Sequence, residues 1–111
     1  MIIVHGTIPL LEDQRDRALE LARTMAEATR DEPGCVSYDF YIGLQDPNTL
    51  MLFQEWDDMD ALMAHFQTEH MESFLRELPE VTNGEITTRR YAVQSVEAPE
   101  AGEDRAPRVV H

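Results

Sequence analysis

Alternating and helical hydrophobic patterns divide the chain into successive elements. Residues 2–11, IIVHGTIPLL, are extended and β-branched, with Ile2, Val4, Ile8 and Leu10 on one face and Ile3, His5, Thr7 and Leu11 on the other. Pro9 predicts an edge strand or a bulge near the strand's end. A helix is expected over about 13–31, where Ala18, Leu21, Ala22, Met25 and Thr29 follow the 3.6-residue period, Glu12 or Asp13 is placed to cap its start, and Pro33-Gly34 ends it. CVSYDFYIGL (35–44) alternates, placing Val36, Tyr38, Phe40, Ile42 and Leu44 opposite Cys35, Ser37, Asp39 and Tyr41. After an Asp46-Pro47-Asn48 turn, TLMLFQEW (49–56) returns as the second strand of a hairpin.

This returning strand is apolar on both faces, Leu50, Leu52 and Trp56 against Met51 and Phe53, and so needs cover on both. A helical region follows at 58–78 with Leu62, Phe66, Phe74, Leu75 and Leu78 toward the core, and Thr68 can cap a fresh helix that would break it near Gln67. GEITTRRYAVQSV (84–96) supplies a fourth strand. The order β-α-β-β-α-β predicts an α+β, ferredoxin-like fold: a four-stranded antiparallel sheet with both helices on one face. Ile3, Leu11, Met51 and Phe53 would leave the other face apolar, which predicts a homodimer. Residues 1–96 form the expected domain. The charged segment 97–111, with Pro99 and Pro107, has no period; Arg105–His111 is expected to dock along a partner subunit or, through Val109-Val110, on a sheet edge.

Composition narrows the chemistry. The 22 acidic and 9 basic residues give a net charge of −13, which repels nucleic acid and anionic lipid surfaces. Every basic residue is arginine, so Schiff-base and P-loop lysine chemistry are excluded, and the five glycines are too scattered for a nucleotide-binding loop. The single Cys35 allows no internal disulfide and fits a reducing cytoplasm. No apolar run approaches the ~20 residues of a membrane span, so a soluble cytoplasmic protein is expected.

The candidate chemistry lies in LMAHFQTEHMESF (62–74), which carries His65 and His70. Either imidazole can be a base near neutral pH, and either can be a helix-surface or capping residue. A shared metal is disfavoured, because on a continuous helix an i,i+5 pair points ~140° apart, and no further His or Cys cluster lies nearby in sequence. Trp56 is either a core residue or the wall of a planar pocket. Arg89 and Arg90 point to opposite sheet faces, so at most one of them faces a cavity.

EPGCVSYDFY (32–41) and FQEWDDMDALMAHFQTEHMESF (53–74) resemble the antibiotic biosynthesis monooxygenase domain, which includes small quinol monooxygenases. Glu32, Gly34, Tyr38, Glu55-Trp56, Ala61, His65, His70 and Phe74 carry the likeness, which spans about 1–95. The resemblance implies a dimeric α/β barrel. It also implies O₂-dependent oxygenation of a small aromatic, quinol or anthrone-like substrate, with no metal, flavin or haem. In that reading His70 or His65 is the base, Trp56, Phe66 and Phe74 line the substrate pocket and Arg89 anchors an anion. Strand one has no Asn and His65 stands where a haem-degrading branch carries Trp, so haem degradation is disfavoured. An isomerase, or a non-catalytic ligand-binding or stress module on the same fold, is the alternative.

Overall fold

The computed structural model describes residues 1–96. The docking expected of Arg105–His111 lies outside them. Strands β1 (Ile2–Pro9), β2 (Cys35–Ile42), β3 (Thr49–Trp56) and β4 (Thr87–Ala92) form one antiparallel sheet in the order β2-β3-β1-β4. Helix α1 (Arg15–Arg30) joins β1 to β2, and α2 (Met59–His65) with α3 (Glu69–Glu77) joins β3 to β4. This is the expected ferredoxin-like α+β arrangement, its second helix split in two. None of the described helices is long and apolar enough to cross a membrane.

Period-two burial in β1 and β3 turns Ile2, Val4, Ile8, Leu50, Leu52 and Trp56 toward the helices. Helix α1 meets them with Ala18, Ala22 and Ala26, whose small side chains let its backbone approach the sheet, and with the larger Met25. Gln54 also lies on this face, buried, and its Oε1 accepts from Trp56 Nε1 at 2.6 Å, which satisfies both polar groups inside the core.

Several local expectations shift. Strand β1 is central, and Pro9 sits at its end, where pairing with β4 has already stopped at Thr7; the missing N–H therefore costs no ladder bond. A single 3-10 turn, Glu12–Gln14, precedes α1, and no side chain caps that helix's start. The register slips between Cys35 and Ser37, so Cys35 pairs with Trp56 and Val36 is extruded, 49% exposed, where simple alternation put it on one face with Tyr38 and Phe40. Leu44 lies beyond the strand, 99% exposed. The fourth strand is only 87–92.

The opposite sheet face carries Ile3, Met51 and Phe53, half-buried within one chain, and the exposed Tyr41 and Tyr91 beside them. Leu11 is absent from that row, since it follows the strand and bonds to the Val81 carbonyl.

Candidate functional site

Thr68 determines the geometry of the histidine segment. Its hydroxyl donates to the His65 carbonyl at 2.8 Å, closing α2, and accepts from the Met71 N–H at 3.3 Å, opening α3. Asp58 caps the start of α2 in the same way through the Ala61 N–H. Thr68 has extended backbone, φ −82° and ψ 155°, so α2 and α3 are not one continuous helix, and His65 and His70 converge across the break. The spacing argument against a shared site assumed one continuous helix, and the break removes its premise.

They converge on Glu32, which resemblance alone had singled out and to which no chemical role had been given. His65 Nδ1 lies 2.9 Å and His70 Nε2 2.5 Å from the same atom, Glu32 Oε2. Glu32 stands in the turn after α1, fixed by its own backbone: its N–H donates to the Thr29 carbonyl and its carbonyl accepts from Cys35. Gly34 brings that turn against α2. It has φ +84°, and a Cβ there would lie 2.5 Å from the Ala61 Cβ, while its carbonyl accepts from the Asp57 N–H.

The three groups differ in access. His65 has no solvent exposure and lies among aromatic rings, with centroid distances of 4.9 Å to Trp56, 5.6 Å to Tyr38 and 5.7 Å to Phe66. Burial pushes its pKa down from the ordinary histidine value, outweighing the opposing pull of Glu32. A neutral ring that donates through Nδ1–H satisfies Glu32 and leaves Nε2 as a buried lone pair with no partner. The His70 side chain is 25% exposed and that of Glu32 10%.

Two clefts flank this triad. One, of about 410 Å³, runs between α1 and α3; Leu21, Met25 and Phe74 line it, His70 borders it, and Arg17, Glu20 and Glu77 lie along it. The other, also about 410 Å³, opens on Glu32 and is walled by Asp57, Asp58 and Asp60, with no arginine in its lining. Tyr38 stays a phenol, since burial, Glu32 and Cys35 all raise its pKa. Burial and Glu32 likewise push the Cys35 thiol up, which weakens it as a nucleophile.

The other candidates divide by face. Trp56 is fully buried and packs against His65 from inside the core with the two rings tilted by 39°, and it borders neither cleft. Phe74 lies in the α1–α3 cleft and touches Phe40; Phe66 is half-buried beneath the Arg90 guanidinium, 5.1 Å from its ring centre. Arg89 pairs across from His5 on the open sheet face, away from the triad, and Arg90 is the arginine that shares the helix-covered side.

The match to known proteins agrees with this architecture. Residues 1–77 fit the family model described as antibiotic biosynthesis monooxygenase, and the chain belongs to that family. It is 35% identical over 80 residues to the uncharacterized protein sll1783 of Synechocystis sp., covering 72% of this chain but only 54% of that relative. It is 24% identical over 90 residues to YcnE of Bacillus subtilis, provisionally described as a monooxygenase, covering 81% of this chain and 95% of that one. A crystal structure of an antibiotic biosynthesis monooxygenase superposes with a TM-score of 0.80 at 27% identity, covering 86% of this chain and all of the other.

Proposed function

We propose that this protein is a cofactor-independent monooxygenase of a small electron-rich aromatic, quinol or anthrone-like compound, with His70 as the base. The observation that carries the reading is the Glu32 carboxylate bonded to both imidazoles beside an apolar cleft. With the His70 proton held on Nε2 by Glu32, Nδ1 keeps the lone pair that takes a proton from substrate. The adjacent anion stabilises the imidazolium that forms, as the carboxylate of a catalytic triad does. His65, sealed in the core, orients Glu32 and does not meet substrate.

The α1–α3 cleft has the volume and apolar lining of a small-ligand pocket, with Leu21, Met25 and Phe74 available to hold a planar ring. Loss of a proton makes such a ring a strong one-electron donor to O₂. The radical pair combines into a hydroperoxide, which loses water. For an anthrone, CH₂ becomes C=O, one atom of O₂ is retained and the other leaves in water. The protein contributes proton transfer, orientation and exclusion of bulk water.

The test is oxygen consumption by anaerobically loaded protein with a panel of quinols and anthrones. Uptake above buffer autoxidation, lowered on the order of 10²-fold in His70→Ala, is expected. Background uptake across the panel, or an unchanged rate in the variant, removes the oxygenase reading or the base assignment respectively.

A further inference from the structure

We propose that Glu32, His65 and His70 also form a site for a borderline divalent transition ion such as Zn²⁺, and that the ion blocks the proton-transfer centre when it binds. Three donor atoms, Glu32 Oε2, His65 Nδ1 and His70 Nε2, lie within 4.8 Å of one another. Two imidazole nitrogens and one carboxylate oxygen are a donor set that such ions favour, and three protein ligands leave a fourth position open.

The donors are held in place before any ion arrives. Glu32 is pinned by its turn, His65 by the core and His70 by the Thr68 cap. Tetrahedral coordination at ~2.1 Å needs donors roughly 3.4 Å apart. The present 2.9 and 2.5 Å contacts therefore require the Glu32 carboxylate to withdraw by only part of an ångström to about an ångström, a side-chain movement toward the cleft it already borders. That cleft supplies the route: Asp57, Asp58 and Asp60 line it with no compensating arginine, and the chain carries a net charge of −13, so cations are concentrated at its mouth.

Binding displaces the two protons that the imidazoles present to Glu32. On His65 the proton moves to Nε2, which is buried with no hydrogen-bond partner. That cost keeps the site weaker than a structural zinc centre, so binding is reversible by chelators. On His70 the nitrogen that fixed the ring's tautomer becomes a ligand, and Glu32 no longer stabilises an imidazolium. Inhibition rests on the proposed role of His70, whereas ion binding does not.

Untagged, chelator-stripped full chain is titrated with Zn²⁺ by calorimetry, alongside Glu32→Gln, His70→Asn and His5→Ala, with circular dichroism verifying the fold of each. One equivalent per chain is expected, weakened roughly 100-fold or more in the first two variants and unchanged in the third. Co²⁺ with the unmutated chain should give the visible bands of a tetrahedral site. Absence of saturable binding, or binding that survives in both Glu32→Gln and His70→Asn, overturns the site. Where substrate turnover is measurable, stoichiometric Zn²⁺ should abolish it. Binding that leaves turnover intact supports the site and counts against His70 as the base.

Discussion

A carboxylate oxygen that accepts from two imidazoles holds both rings in a single tautomer, and the loss of its charge releases both. Glu32→Gln preserves the shape but removes the anion, so turnover should fall roughly 10–100-fold with little change in KM, as steady-state kinetics would show. His65 makes a separate prediction about stability. Its folded pKa is depressed, chiefly by burial, so the unfolded chain binds its proton at a higher pH than the fold does. Its neutral, buried state is fully compatible with folding above the ordinary histidine value, and stability is lost as pH falls through the window below it. Urea midpoints with chelator present should therefore drop between pH 7.5 and 5.5, and His65→Gln should flatten part of that slope.

At the scale of elements, the site depends on two local devices that place three chain segments at one point. Gly34 has a left-handed backbone and no room for a Cβ against Ala61. Gly34→Ala should cost roughly 1–3 kcal/mol by denaturant unfolding, and should lower turnover beyond that of a core variant of equal stability, because the turn that the added Cβ strains carries Glu32. Thr68 ends one helix and begins the next. Thr68→Ala should cost about 1 kcal/mol and lower turnover, and Thr68→Ser, which keeps both hydrogen bonds, should restore it. Much of this was readable from local sequence: Pro33-Gly34 marks the end of α1, and Thr68 offers a capping hydroxyl in the middle of a periodic run. The Val36 bulge was not readable, because clean alternation from 35 to 44 carries no sign of a register slip that only pairing with β3 imposes.

For the whole molecule, the remaining question is the face that the helices leave open. Ile3, Met51, Phe53, Tyr41 and Tyr91 form an apolar surface across all four strands. We propose that a second copy covers it and that two sheets pack face to face. Light scattering should give twice the 12.8 kDa chain mass, and Phe53→Asp, on the open face and outside the helix-side core, should yield a folded monomer. A wild-type monomer at micromolar concentration would exclude this interface.

The order of strands and helices, the end of α1, the possible break at Thr68 and the two-faced character of β3 were determined by sequence alone. Such features depend on periodicity and turn chemistry among near neighbours. Tertiary structure decided which side chains meet. Glu32 lies 33 residues from His65 and 38 from His70, and only the helix break at Thr68, together with the docking of the Gly34 turn against α2, brings the three together. The same global geometry buried Trp56 beneath His65, turned Arg89 to the open face and left Arg90 over Phe66. Convergence across the chain depends on crossing angles and strand register, which no local pattern of residues encodes.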